Sequence, residues 1–143
     1  MKVLVWLSWG VDSAVAAYLL QQKWFDVVWA FMINYSEPNN ANCSTKADKE
    51  MARKVAGHLS IPLEIFDFRI IQYIVQSYKS WLTPNPDVFC NNLIKFDLLL
   101  HEATSLCYDK IATGHYAKKT TTNSWHHLHQ AVDTTKDQSY FLA

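Results

Sequence analysis

The sequence is poor in glycine, which accounts for 3 of its 143 residues, whereas tryptophan accounts for 6. Glycine averages about 7% of residues in soluble proteins, so a chain of this length should carry about ten. No GxxxxGK[ST] stretch is present, which excludes a Walker-type phosphate loop. A phosphate site in this chain must therefore be built without the Walker lysine.

Other features that the sequence lacks restrict its class. The three cysteines, Cys43, Cys90 and Cys107, form no CxxC pair and no even set for disulfides, which favours a reducing cytoplasm. No apolar run approaches the roughly 18 residues that a membrane helix needs, and the first residues lack the pattern of a secretory signal. The net charge is zero, so charge alone indicates no nucleic-acid partner. We expect a cytoplasmic protein with no membrane partner.

Hydrophobic residues make up 50% of the chain, enough to fill a core. Apolar runs predict strands at residues 2–7, 26–32, 61–68 and 109–113. Helical spacing, beginning with Val11, Ala14, Val15, Tyr18 and Leu19, predicts an amphipathic first helix. The remaining patterns predict helices at residues 44–59, 70–78 and 90–106, a loop at 80–87 and a hairpin within 118–132. This alternation predicts an α/β fold, an open parallel sheet with helices on both faces.

The loop between the first strand and the first helix reads SWGVDS, residues 8–13. Ligands of open α/β sheets bind beyond the carboxyl ends of the strands, and a helix N-terminus favours phosphate through its free N–H groups. Ser8 and Ser13 could add hydroxyl donors. Without a Walker lysine, such a loop suits a pyrophosphate that is released as a leaving group. A plain strand–loop–helix turn remains the alternative.

This loop resembles the SGGxDS motif of the PP-loop ATP pyrophosphatases. Four further stretches narrow the resemblance: TPNPDVFCN at residues 83–91, IKF at 94–96, ATGHY at 112–116 and KDQSYF at 136–141. In this order they resemble the tRNA-specific 2-thiouridylases, the MnmA family, and the resemblance covers residues 1–143. It implies a PP-loop, Rossmann-like fold.

The resemblance also implies a reaction. The family uses ATP, with Mg²⁺, to adenylate the 2-oxygen of the wobble uridine of tRNA, and pyrophosphate is released. A persulfide sulfur then replaces the activated oxygen and gives 2-thiouridine and AMP. The implied partners are tRNA and a persulfide donor or a sulfur-relay protein.

Site residues carried over from the family fall into three groups. The ATP contacts are Trp6, Leu7, Ser8, Trp9, Gly10, Val11, Asp12, Ser13, Met32 and Gly114. The tRNA contacts are Asn85, Pro86, Asp87, His115, Lys136, Asp137 and Gln138. The catalytic residues are Cys90 and Asp87.

The chemistry around Cys90 fits this assignment. Cys90 follows a stiff, proline-rich loop and is expected to open a helix, where a thiol has a lowered pKa and is a better nucleophile. Asp87 could act as a base or orient the uridine. A buried, inert thiol is the alternative for Cys90, whereas Cys43 is expected in a loop and Cys107 in the core. His127 and His129 would share a strand face, but we expect no metal site there.

The sequence departs from the family pattern in extent. The family's persulfide-carrying cysteine follows KDQSYF, and no such cysteine is present here. The chain stops at an apolar run, residues 140–143, with no polar tail. We therefore expect residues 1–143 to form an incomplete N-terminal PP-loop domain, without the central and C-terminal tRNA-binding domains, that does not complete sulfur transfer alone.

The tryptophans are the second departure. All six stand where the family pattern places glycine or where a turn glycine is usual: Trp6, Trp9, Trp24, Trp29, Trp81 and Trp125. Returning them to glycine would give nine glycines, about 6%, close to ordinary usage. Six independent replacements would each cost about 1–3 kcal/mol of packing strain. Our hypothesis is that UGA codons, read as glycine in the source organism, were translated here as tryptophan.

Two alternatives to a 2-thiouridylase domain remain. One is another PP-loop enzyme that adenylates a carbonyl and transfers it to an amine, for which Cys90 would have no role. The other is a degenerate, non-catalytic fragment, which would require the tryptophans to be real.

Overall fold

A four-stranded parallel sheet forms the centre of the molecule. The computed structural model describes residues 1–8, 10–33, 45–68, 79 and 96–142, and the account below is confined to them. The sheet consists of β1 (Lys2–Trp6), β2 (Asp26–Ile33), β3 (Leu63–Asp67) and β4 (Lys110–Ala112) in the order β3-β2-β1-β4. All three strand pairs are parallel, as predicted.

The central strands β1 and β2 are apolar after their first residue because both faces of the sheet are covered. In β1 the residues Val3, Leu4 and Val5 are at most 2% exposed, and they alternate between two separate cores. A continuous apolar run is what a doubly covered parallel strand requires.

Three helices cover the sheet: α1 (Val11–Gln22), α2 (Thr45–Leu59) and α3 (Asp97–Ser105). The first core contains Ala17 of α1 and Ala52 and Ala56 of α2. The second core, on the opposite face, contains Leu99 and Ala103 of α3. The predicted arrangement with helices on both faces is therefore confirmed.

The buried face of α1 differs from the predicted one. Val11, Val15 and Leu19 are 77%, 47% and 53% exposed, whereas Ser13 and Ala17 are buried. Small side chains let the helix backbone lie close to the sheet, so the larger apolar residues point outwards, where they line an open groove of about 860 Å³.

Each helix ends in the same way, with one residue in the left-handed conformation: Trp24 (φ 61°), Ser60 (φ 54°) and Cys107 (φ 59°). After α1, the Phe25 N–H donates to the Leu20 carbonyl at 3.2 Å and the Trp24 N–H donates to the Gln21 carbonyl at 3.0 Å. This is the Schellman pattern, in which glycine is the usual left-handed residue. Trp24 therefore stands at a glycine position, as the sequence predicted.

The expectation that Cys107 lies in the core is wrong. Its side chain is exposed, because it occupies the left-handed position just after α3, outside the last helical turn.

Two of the tryptophans are buried in the sheet. Trp6, the last residue of β1, is 8% exposed and packs in the second core. Trp6 is therefore part of the strand, and its side chain packs in the core instead of occupying the loop that follows β1. Trp29 is fully buried in β2, and its Nε1 has no hydrogen-bond partner among the described residues. An unpaired buried N–H of this kind costs about 1–3 kcal/mol.

The predicted hairpin is confirmed as β5 (Lys118–Thr122) and β6 (Trp125–His129), an antiparallel pair. Its two-residue turn is Asn123 and Ser124, both with positive φ, as a type I′ turn requires. The prediction that Trp125 occupies a turn position is wrong, since it pairs with Thr122 in the strand register. His127 and His129 share a face, with ring centroids 6.2 Å apart.

Several predictions lie outside the described residues: the helix at 70–78, the loop at 80–87, the first part of the helix at 90–106, Cys43 and Trp81. Within the described residues, no helix has the length and apolarity that crossing a membrane requires.

Candidate nucleotide-binding site

The loop that follows β1 is held in shape by a buried serine. Ser13 is 2% exposed, and its hydroxyl donates to the Gly10 carbonyl at 3.0 Å. The Ser8 N–H and the Ser8 hydroxyl each lie 3.3 Å from the Ser13 oxygen. Ser13 therefore links both ends of the loop, and its hydroxyl proton is engaged inside it.

The N-terminus of α1 lies beyond the carboxyl end of β1, which has β2 on one side and β4 on the other. Gly10 is the residue before the helix and has extended backbone angles without a side-chain cap. The first N–H groups of a helix have no partner within the helix, and the helix dipole makes this end favourable for anions. A point where neighbouring strands connect in opposite directions is where open α/β sheets bind ligands.

Gly114, just after β4, presses against this helix end. A Cβ at Gly114 would stand 2.6 Å from the Ser13 backbone nitrogen and 2.7 Å from the Asp12 carbonyl carbon. Both contacts are with backbone, which cannot move aside cheaply. Only glycine allows β4 and the loop to approach each other in this way.

Asp12, in the first turn of α1, pairs with two residues far away in sequence. Its Oδ2 lies 2.8 Å from the Lys136 ammonium, and its Oδ1 accepts a hydrogen bond from the Tyr116 hydroxyl at 3.0 Å. The hydrogen bond from Lys136 is the main cause that lowers the pKa of Asp12. Desolvation opposes it, and the hydrogen bond from the Tyr116 hydroxyl adds a smaller lowering effect. The same pair raises the pKa of Lys136.

The segment that contains Lys136 is fastened to the loop after β4. The Tyr116 N–H donates to Gln138 Oε1 at 2.9 Å, and the Gln138 N–H donates to the Tyr116 carbonyl at 2.9 Å. Asp137 serves the segment itself, since its carboxylate accepts from Ala131 N at 3.0 Å and from the Ser139 hydroxyl at 2.7 Å. These bonds lower the pKa of Asp137.

His115 is held beside the site by residues of two motifs. Its Nδ1 lies 2.8 Å from the Thr113 hydroxyl, and its ring stands 5.9 Å from the ring of Phe96. Phe96, the last residue of the IKF stretch, therefore meets the ATGHY stretch in space.

Two cavities open at this edge of the sheet. The smaller, of about 190 Å³, is lined by Trp6, Ser8, Asp12, Thr113, Gly114, His115 and Gln138. It meets the 860 Å³ groove along α1 at Asp12 and at residues 113–115. A small polar chamber at the helix N-terminus thus opens into a wider, mostly apolar groove.

The structure brings together many of the predicted site residues, though not all by their side chains. Around the small cavity lie Trp6, Ser8, Asp12, Gly114, His115 and Gln138. Leu7 and Met32 have buried side chains, so only their backbones are available to a ligand. Five predicted residues lie outside the described residues: Trp9, Asn85, Pro86, Asp87 and Cys90.

Sequence reasoning missed Tyr116 and Thr113 as members of the site. Both belong to the ATGHY stretch, so the motif itself was the available signal. Their roles depend on contacts with residues that no sequence spacing connects.

Comparisons with known proteins agree with this geometry. The family model for the tRNA methyl transferase HUP domain matches residues 1–143. A tRNA-specific 2-thiouridylase MnmA from Chromobacterium violaceum is 45% identical over 99% of this chain and 38% of its own length. The MnmA of Pediococcus pentosaceus is 44% identical over 99% of this chain and 40% of its own length. The chain thus spans about two fifths of the length of these curated relatives.

Solved structures support the same fold. The U34-tRNA thiolase NcsA from Methanococcus maripaludis, with its [4Fe-4S] cluster, matches 80% of this chain and 38% of its own with a TM-score of 0.57 and 26% identity. An NMN synthetase from Francisella tularensis matches 79% of this chain and 45% of its own with a TM-score of 0.54, and its 19% identity shows the fold alone. The family-model match over the whole chain, joined to the loop geometry, shows that this chain belongs to the tRNA methyl transferase HUP domain family and confirms its resemblance to the MnmA proteins.

Proposed function

We propose that residues 1–143 form the ATP-binding, adenylating domain of a tRNA 2-thiouridylase. The observation that carries the proposal is the close approach of Gly114 to the N-terminus of α1. A Cβ added at Gly114 would stand 2.6 Å from the Ser13 nitrogen. Here a cavity, the N-terminus of a helix and four of the predicted ATP residues, Trp6, Ser8, Asp12 and Gly114, coincide at the carboxyl ends of the strands of a parallel sheet. Relatives that are 44–45% identical are named 2-thiouridylases, which supports tRNA as the substrate.

The described residues fit a triphosphate. The N–H groups at the start of α1 would bind phosphate oxygens, Ser8 would add a hydroxyl beside them, and Gly114 places no side chain of its own over the helix end. Trp6 forms part of the cavity wall. The adjoining groove is wide and largely apolar, which suits the base and ribose of the nucleotide. When bound, ATP supplies the adenylyl group that turns the uridine 2-oxygen into a leaving group.

Cys90 and Asp87 remain our proposed catalytic residues on the strength of their motif. Cys107 lies at the opposite edge of the sheet, before β4, so it supplies no thiol to the loop. We propose that Asn85, Pro86 and Asp87 meet the target uridine, and that His115 and the segment Lys136, Asp137 and Gln138 help to hold the tRNA. A persulfide donor or relay protein would supply the sulfur in the cytoplasm.

The proposal is tested by pyrophosphate release from ATP in the presence of a tRNA transcript with uridine at the wobble position. We expect release that requires both substrates, with a transcript carrying adenine at that position, which has no 2-oxygen, as the inactive control. Release that does not depend on the transcript, or ATP binding without any release, would contradict an adenylating role on tRNA.

An amidating PP-loop enzyme is the competing function, and Cys90→Ser separates the two. In a 2-thiouridylase the substitution should abolish 2-thiouridine formation in the longer protein and leave pyrophosphate release intact. An amidating enzyme should form no 2-thiouridine with or without the substitution, and its pyrophosphate release should be unchanged. A degenerate fragment would show a folded circular dichroism spectrum and no ATP binding.

A further inference from the structure

Tyr116 contacts three separate parts of the site. Its hydroxyl donates to Asp12 in the first turn of α1, its backbone forms a two-way pair with Gln138, and its ring lies 4.4 Å below the Lys136 ammonium. One side chain therefore contacts both members of the Asp12–Lys136 ion pair, which are separated by 124 residues in the sequence.

The position of Asp12 creates an electrostatic problem for the proposed function. A carboxylate in the first turn of α1 interacts favourably with the helix dipole. It also lines the cavity where phosphates would bind. An unrestrained negative charge there would repel a triphosphate. In the structure both carboxylate oxygens are occupied, one by Lys136 and one by Tyr116.

The cation that neutralises Asp12 is itself poorly fixed without Tyr116. The Lys136 side chain is 50% exposed, and surface ion pairs of this kind are weak because two long side chains must be immobilised. The aromatic face of Tyr116 gives the ammonium a second attachment, and the hydroxyl fixes the carboxylate that it must meet.

We propose that Tyr116 is a positioning residue that holds Asp12 and Lys136 together, so that the carboxylate is neutralised beside the phosphate-binding loop and the segment 136–138 is coupled to that loop. The inference rests on the proposed function for its ligand, ATP. Tyr116 also borders the groove proposed for the base and ribose, but the role inferred here is exerted through Asp12 and Lys136.

The test uses Tyr116→Phe in the 143-residue chain, which removes the hydroxyl and keeps the ring below Lys136. Calorimetric titration with ATP should show affinity roughly 3- to 10-fold weaker, the worth of one typical hydrogen bond. Tyr108→Phe is the matched control, because Tyr108 also donates to a carboxylate, Glu64, at 2.7 Å and also has a lysine ammonium over its ring, at 4.3 Å. It lies far from the loop and should leave the ATP affinity unchanged.

A second background identifies the route by which Tyr116 acts. In Asp12→Asn no carboxylate charge remains to be neutralised, so adding Tyr116→Phe should change ATP affinity by less than about twofold. An equal loss in both backgrounds would overturn the inference, since Tyr116 would then affect ATP without Asp12. Unchanged affinity in Tyr116→Phe alone would overturn it as well.

Hydrogen exchange keeps the inference testable without ATP. In Tyr116→Phe, backbone amides at residues 10–14 and at 136–138 should exchange several-fold faster, while Tyr108→Phe should leave both segments unchanged. Failure of the parent chain to bind ATP would contradict the proposed function. Unaltered exchange at both segments would contradict the coupling by Tyr116, whatever the ATP result.

Discussion

Tyr116 and Tyr108 make the same kinds of contact at opposite ends of the parallel strands. Tyr116 lies at the carboxyl ends, called here the carboxyl edge, and Tyr108 lies at the amino ends, called the amino edge. Each donates its hydroxyl to a carboxylate, Asp12 or Glu64, and each has a lysine ammonium within 4.4 Å of its ring. Tyr108 is 8% exposed and packs in the second core, whereas Tyr116 borders the groove beside the loop.

At the amino edge, burial gives the contacts of Tyr108 with Glu64 and Lys2 a structural role. Desolvation, followed by the bond to Glu64, raises the pKa of Tyr108. Nearby, the Lys2 N–H donates to Asp109 at 2.7 Å and the Asp109 N–H donates to the Lys2 carbonyl at 2.9 Å. These bonds fasten strand starts to one another. At the carboxyl ends of the strands, by contrast, Asp12 and Tyr116 line the open groove, so these two groups are accessible to a ligand.

Gly114→Ala should give the largest effect at the carboxyl edge. The added methyl group would collide with the Asp12–Ser13 backbone, so we expect a loss of about 1–3 kcal/mol in the free energy of unfolding. Displaced loop N–H groups should weaken ATP binding by about tenfold. Urea unfolding and calorimetry measure the two effects.

Gly57→Ala is the paired control for this substitution. Gly57 lies within α2, and a Cβ there would meet nothing within 4 Å. Alanine should therefore stabilise the helix by about 0.5–1 kcal/mol. Equal costs for Gly57→Ala and Gly114→Ala would show that the close approach at Gly114 is not special.

Tyr108→Phe should lower the free energy of unfolding by about 1–2 kcal/mol, because it leaves Glu64 without a partly buried donor. Tyr116→Phe should cost less stability, since its carboxylate partner keeps Lys136 and remains open to water. Urea unfolding of both variants decides the order, and a larger loss for Tyr116→Phe would reverse our assignment of the two edges.

Trp24→Gly should stabilise the chain by about 1 kcal/mol. Trp24 adopts a left-handed conformation at the end of α1 and is 93% exposed, so the substitution relieves backbone strain and removes little packing. Trp125→Gly should instead be neutral or destabilising, because Trp125 lies in a strand. Thermal unfolding of the two variants measures the change in melting temperature relative to the parent chain. An increase for both variants would contradict the structural distinction between these tryptophans.

The Asp12–Lys136 pair should give the smallest effect, visible through its pH dependence. The lowered pKa of Asp12 contributes stability above the unfolded value of about 3.9, which is lost as pH falls through the folded pKa. The raised pKa of Lys136 contributes stability below about 10.4, which is lost as pH rises through the folded pKa. Lys136→Met should therefore differ from the parent in melting temperature between these limits and converge with it outside them. A difference that is constant with pH would exclude an electrostatic origin.

The sequence predicted the sheet well because its signals are local. Continuous apolar runs in β1 and β2 reported burial on both faces, and the order of strands and helices fixed a parallel sheet. The predicted strands at 61–68 and 109–113 were longer than the observed β3 and β4, since apolar composition does not mark where pairing stops.

The errors came from features that local pattern does not encode. The apolar stripe of α1 predicted the wrong buried face, because the close fit of Ser13 and Ala17 to the sheet decides which side is covered. Cys107 was placed in the core by residue type, although the helix end directs it outwards. The contacts of Asp12 with Tyr116 and with Lys136 join residues that lie 104 and 124 positions apart along the chain. No rule of sequence spacing connects residues at such separations.

The central claim is that ATP binds where Gly114 meets the start of α1. Titration of ATP into the ¹⁵N-labelled chain, followed by amide spectra, tests it most directly. We expect saturable shifts at Gly10, Asp12, Ser13 and Gly114, with the amides of Ser60 and Tyr108 at the amino edge unchanged. Absence of saturable shifts at the loop, or shifts centred on the amino edge, would contradict the account.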